Sequence, residues 1–182
     1  MQSTLTSQSR IATLSDKHCV FQCGDSLFSL PATAVREVTI MPPVVRVPLS
    51  HRALAGIGNV RSEFLPVIAL APIVGDQARL TDPSTGQLLV VASQFGCWSI
   101  AIDRVVAIDA LETHVDAGQR NENSDSVLLG TATHRGKVIS VLDANGLQRM
   151  AQQILEGHWA RTESLFTSNL TETTSASESH AK

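Results

Sequence analysis

Apolar residues in this chain come in short bursts. Between Cys19 and Leu142, runs of Val, Ile, Leu and Ala are each stopped by Gly, Pro, Asp or Asn, which is the rhythm of an all-β domain. CVFQC and LFSL flank the turn residues Gly24, Asp25 and Ser26. In ATAVREVTI, strict alternation places Val35 and Glu37 on one face and Arg36 and Val38 on the other, so one face is partly charged. Pro42, Pro43 and Pro48 exclude an interior strand or helix from MPPVVRVP and favour an extended connector. GIGNVR and FLPVIAL read as two further strands around Ser62 and Glu63.

The polar loop DQARLTDPSTG is then expected to separate two lobes of similar size, because the second half repeats the grammar of the first: QLLVVAS, a turn at Gly96, CWSIAI, Asp103, VVAI. The repeat is one of architecture, not of residues. After the loop DAGQRNENSDS, the runs VLLGTATH and KVISVL form a hairpin at Arg135 and Gly136. A single stretch has a helical period: Leu147, Met150, Ala151, Ile154 and Leu155 share one face. Asn145 with Gln148 makes a capping box and Gly157 a stop. The reading is a disordered segment at 1–15, a folded domain at 16–160 and a flexible Ser/Thr-rich tail at 161–182. Within the domain, the lobes span roughly 27–80 and 86–142, and a closing helix spans 145–156.

Composition narrows the function. The 182 residues are 43% hydrophobic and 17% charged, enough to bury a core in one compact domain. A net charge of −3 with no basic run argues against nucleic acid. Aromatic content of 4% and the absence of Tyr remove the usual stacking platforms for single strands. The first fifteen residues lack the apolar centre of a secretory signal. No segment reaches the roughly 20 apolar residues of a membrane helix, so the expected setting is cytoplasmic, without direct membrane insertion. Cys19, Cys23 and Cys97 are an odd set for a disulfide framework and read as core residues. On one strand, Cys19 and Cys23 would stand about 13 Å apart, too far to grip one zinc ion.

Enzyme signatures fail at checkable positions. GIGNVR has Arg61 where a dinucleotide loop needs its third Gly. GTATHRGKV has five residues between Gly130 and Gly136 where a phosphate loop has four, and Val138 where that loop needs Ser or Thr. Asn121, Asn123 and Asp125 are spaced like calcium ligands, yet Ser126 and Ala132 replace the turn Gly and the bidentate Glu. The six His are scattered without HExxH or a close pair, and there is no GxSxG. No catalytic residue, metal site or cofactor is expected.

The ordered run VREV, LAGIGNVRSEFLPVIAL, IAIDRVVAI and GKVISVLD, followed by a helix, resembles the CheW-like domain of bacterial chemotaxis systems. The most specific piece is GxxNVR with PVIAL, which is similar to the family's Asn-Leu-Arg-Gly and Pro-Val-Ile-Asp-Leu signature. The resemblance implies two small five-stranded SH3-like β-barrels packed side by side, with an apolar seam and the last helix closing the structure. It also implies a non-catalytic adaptor between the cytoplasmic tip of a methyl-accepting chemoreceptor and a CheA-type histidine kinase, in chemotaxis or type IV pilus motility. Carried onto this chain, the receptor-facing groove comprises Glu37, Gly56, Asn59, Arg61, Asp103 and Val105. The kinase-facing surface comprises apolar strand and loop positions of either barrel.

Two residues depart from the signature. Ser62 stands for the usual Gly after the motif Arg, and Ala69 for the usual Asp. Glu37 and Arg61 are expected to approach each other at the groove between lobes. The rival reading is a small-molecule-binding β-barrel with its ligand in the seam, and Trp98 is its best support.

Overall fold

The computed structural model describes residues 17–80, 85–93, 96–114 and 126–178. The expected N-terminal segment, the calcium-like spacing at Asn121, Asn123 and Asp125, and residues 179–182 lie outside them. Among the described residues twelve strands form two sheets: β1 (Lys17–Cys23), β2 (Ser26–Pro31), β3 (Val35–Ile40), β4 (Val44–Val45), β5 (Leu54–Val60), β6 (Glu63–Ile68), β7 (Gln87–Ser93), β8 (Gly96–Ile102), β9 (Arg104–Ala110), β10 (Thr113–His114), β11 (Leu128–His134) and β12 (Lys137–Leu142). A short helix α1 (Ala71–Val74) follows β6, and the long helix α2 (Ala144–Glu178) follows β12. One sheet has the order β10-β11-β12-β2-β1-β9, the other β3-β7-β8-β6-β5-β4. Each thus has the five expected long strands plus a two-residue one, β10 or β4.

The division of the chain differs from the expected one. Strands β3 to β8 make one sheet, while β1 and β2 join β9 to β12 in the other, so the polar loop after Asp76 lies within a lobe and the lobes are not 27–80 and 86–142. Polarity marks a loop as solvated but says nothing about which strand the chain pairs with next.

Reading the second sheet from β4, the two sheets correspond strand by strand. Each has an antiparallel hairpin (β5–β6, β11–β12) whose second strand pairs in parallel with the next (β6–β8, β12–β2). Each hairpin's first strand bulges at a Gly, Gly56 or Gly130. The hairpins turn through Arg61-Ser62 and Arg135-Gly136, all four residues at positive φ, as a two-residue type I′ turn requires. The correspondence places Val38 opposite Ile108 and Phe64 opposite Val138 as equivalent positions.

Three apolar clusters explain the unbroken runs in the sequence. Leu88 and Val90 face a cluster inside the β3–β8 lobe, with Val60, Leu65 and Val67. Their neighbours Leu89 and Val91 face the seam, where Phe21, Phe28 and Leu30 from the other sheet meet Trp98, Ile100 and Ile102. Val20 likewise points into the second lobe with Ala132, Ile139 and Val141, while Cys19 and Phe21 point into the seam. A strand buried on both faces has no polar side to alternate with. Trp98 is 3% exposed within the seam cluster, which makes it a core residue and removes the chief support for a ligand there.

Leu147 and Ala151 of α2 close the seam. Its cap is Asp143, whose carboxylate accepts from the Asn145 and Gly146 N–H groups at 3.2 and 3.0 Å. The expected Asn145 box is therefore displaced by two residues. Gly157 does not stop the helix, and 161–178 continues it rather than forming a flexible tail. A Gly inside a helix costs only about 1 kcal/mol, and neither Gly nor Pro occurs after it.

Candidate functional site

The charged cluster at the turn end of the β5–β6 hairpin is built by a bulge. Val35 faces Val91 and Glu37 faces Val90, so Arg36 is an extra residue in β3. The bulge breaks the alternation expected for VREV and lets two adjacent charges reach the same turn. Arg61 Nε lies 2.9 Å from the Glu37 carboxylate, and Arg36 Nη1 lies 2.7 Å from the Glu63 carboxylate. The two pairs run in opposite sense, β3 supplying the cation of one and the anion of the other. Arg36 also donates to Cys97 Sγ at 3.2 Å; that bond and the Glu63 carboxylate push its guanidinium pKa up. Cys97 is half-buried, packed against the cluster inside this lobe while its sulfur accepts from Arg36.

The six residues singled out from the sequence fall into three places. Glu37, Asn59 and Arg61 gather at this turn: the Asn59 side-chain carbonyl accepts from the Ser62 N–H at 3.2 Å and holds the turn that carries Arg61. The Glu37–Arg61 pair lies within one sheet rather than between the lobes. Gly56 sits beneath β4, where a Cβ would run into the Val45 carbonyl and the Val44 side chain at φ +152°. Asp103 and Val105 lie where the two sheets meet. Asp103 accepts from the Gly24 N–H at 2.6 Å, and the Val105 N–H donates to Gln87 Oε1 at 2.8 Å.

Arg36 and Glu63 were not singled out. Their signal was available as a second opposite-charge pair flanking the first, Arg36 before Glu37 and Glu63 after Arg61. Exposed apolar side chains follow these charges along their strands, Val38 and Ile40 on β3 and Phe64 on β6, and Val45 on β4 is exposed as well. The equivalent positions of the other lobe, Ile108 and Val138, are also exposed and apolar.

Among the described residues no three His, Cys, Asp or Glu side chains are grouped to hold a metal ion. Cys23 is buried and donates its thiol to the Ala78 carbonyl at 2.8 Å; burial, then the Asp103 charge, pushes its pKa up to about 12. Burial raises the Cys19 thiol to about 11. Both stay protonated and inert at neutral pH. No helix of the described residues is long and apolar enough to cross a membrane.

Comparison with known proteins places this geometry. The family model for the CheW-like domain matches residues 17–152. A probable chemotaxis protein CheW from Rhizobium etli is 32% identical over 72 residues, 40% of this chain and 45% of that relative, so the match spans less than half of the relative's length. The crystal structure of the scaffolding protein TtCheW from Thermoanaerobacter tengcongensis superposes with a TM-score of 0.60 at 19% identity, covering 76% of this chain and 90% of that one. At that identity the likeness is one of fold.

Proposed function

The chain belongs to the CheW-like domain family, and on that premise we propose that it is a non-catalytic adaptor that couples a methyl-accepting chemoreceptor to a CheA-type histidine kinase in a chemotaxis or type IV pilus motility pathway. The observation that carries the reading is the repetition of exposed apolar side chains at equivalent positions of both lobes. Val38 and Phe64 stand on one, and Ile108 and Val138 on the other, with Phe64 76% and Val138 74% exposed. Exposed apolar clusters on a folded domain mark contact surfaces, and an adaptor needs two.

In this reading the lobe carrying Glu37, Asn59 and Arg61 meets the receptor. A receptor helix lies against the Val38, Ile40 and Phe64 surface, and the two ion pairs fix its register. The other lobe meets the kinase. Gly56, Asp103 and Val105 serve the receptor site by holding the backbone that presents it. Contacts of this size are individually weak, and their strength in an array comes from two faces on one molecule, which make the second contact effectively intramolecular.

The test is recovery of partners on the tagged chain from its native cytoplasm. A receptor and a histidine kinase retained together support the adaptor. Phe64→Asp should lose the receptor and keep the kinase; Val138→Asp should do the reverse. Retention of neither partner by the unaltered chain contradicts the reading.

A further inference from the structure

A cavity of about 910 Å³ opens beside β4, between the connector Met41–Arg52 and the chain that follows β6. It borders the seam, since Leu54, Leu70 and Ala78 of its lining belong to the seam cluster. Its floor is apolar, formed by Leu54, Val67, Leu70 and Ala101. Its polar lining is Ser50, His51 and three cations, Arg46, Arg52 and Arg79, and among the described lining residues there is no Asp or Glu. Arg79 is paired with Asp76 at 3.1 Å. Neither Arg46 nor Arg52 pairs with a carboxylate among the described residues.

Ala69 explains the imbalance. It lines the cavity at the place where the signature PVIAL departs from the family's Asp. The second lobe shows what a carboxylate does there. Asp143 follows β12 as Ala69 follows β6, and it caps the next helix through the Asn145 and Gly146 N–H groups. Ala69 supplies no such group, and α1 has no side-chain cap. With no carboxylate at this position, the cavity, which is in the size range of small-molecule sites, has apolar walls and, at its edge, two guanidinium groups that pair with no carboxylate among the described residues. Guanidinium groups beside apolar surface select a carboxylate on an apolar body, because the head gains charge-assisted hydrogen bonds and the body leaves water.

We infer that this cavity is a binding site for a small amphiphilic carboxylate, held by Arg46 and Arg52 and made available by Ala69. Its occupancy does not depend on receptor or kinase.

Octanoate, octan-1-ol and octylammonium share a body and differ in head charge, and their titration into the full chain, followed by calorimetry and amide NMR shifts, tests the site. Octanoate should bind saturably, with shifts centred on Leu54, Val67 and Ala69, and the alcohol and the amine at least tenfold more weakly. Arg46→Ala and Arg52→Ala should each weaken octanoate at least fivefold. Ala69→Asp, which restores a capping residue and so keeps the fold, should weaken it at least tenfold while leaving the melting temperature equal or higher. Equal binding of octanol, unchanged octanoate affinity in a folded Ala69→Asp protein, shifts centred elsewhere, or no saturable binding would each overturn the site.

Discussion

Arg61 reaches the Glu37 carboxylate at 2.9 Å although the hairpin whose turn carries it and the strand of Glu37 are far apart in the sheet. Glu37 lies on the edge strand β3, with β7 and β8 standing between it and the hairpin that carries Arg61. The contact records a sheet curled enough for its edge strand to meet a distant turn, and the β3 bulge at Arg36 supplies the local bend.

The pair orders the surface more than it holds the fold. The Arg61 side chain is 79% exposed and that of Glu37 17%, so Arg61→Ala should lower unfolding free energy by only about 0.2–1 kcal/mol. Receptor affinity should fall at least tenfold in the same protein. Urea denaturation and a binding titration, run together, separate the two. A charge-reversed pair, Glu37→Arg with Arg61→Glu, should recover stability without recovering affinity.

Ser62 sits at φ +71° and follows Arg61 at φ +47°, a conformation that costs a non-Gly residue about 1–2 kcal/mol. The equivalent turn of the other lobe uses Gly136 at φ +75°. Ser62→Gly should therefore stabilise the chain by roughly 0.5–1 kcal/mol after the entropy of the unfolded Gly is deducted. A raised urea midpoint with an unchanged slope would show it.

Gly56→Ala should act in the opposite direction. A Cβ there meets the Val45 carbonyl oxygen at a φ only Gly adopts with ease, and the strain should cost roughly 2 kcal/mol or more. The damage should centre on β4, seen as amide exchange of Val45 rising before that of the seam.

Asp103 joins two turns by accepting from the Gly24 N–H. Asp103→Ala should cost about 1.5–3 kcal/mol, the range for a hydrogen bond to a charged group. Asp103→Asn should recover part of it by keeping an acceptor. If Asp103 serves the receptor only through this junction, the Asn variant should bind receptor as the unaltered chain does.

His51 links the cavity-side connector to α2. Its ring meets that of His158 edge-on at a centroid distance of 5.4 Å, and His158 Nε2 lies 3.1 Å from the Leu49 carbonyl oxygen. Burial, then His158, Arg52 and Arg161, lowers the His51 pKa below 6.5. A base whose folded pKa is depressed binds fewer protons folded than unfolded. Its share of stability is present above about pH 6.5 and is lost as pH falls through the folded value. The melting temperature should drop on acidification below that point, and less so in His51→Gln; NMR titration of the ring should give a value under 6.5.

The parts of the structure that were legible in the residues were local. Turn residues at Gly24-Asp25 and Arg135-Gly136 marked hairpins, and the run at Leu147, Ala151 and Leu155 marked the closing helix face. VREV and GIGNVR marked the charged site. What escaped depended on contacts between distant segments. The bulge at Arg36 has no Gly or Pro to announce it, and the interleaving of β1 and β2 with β9 to β12 is a matter of pairing, not pattern. Asp143 outcompeted Asn145 as cap because the helix starts directly after β12. Ala69 read as a departure from a signature, and its place in a cavity wall needed coordinates.

The central claim is that one chain holds two partners at once, and sedimentation tests it most directly. Receptor cytoplasmic fragments arrayed on vesicles are spun with a CheA-type kinase, with and without this protein. The account predicts that kinase pellets with the vesicles only when the chain is present, and that Phe64→Asp or Val138→Asp returns it to the supernatant. Kinase sedimenting equally without the chain, or remaining in solution with it, would contradict the account.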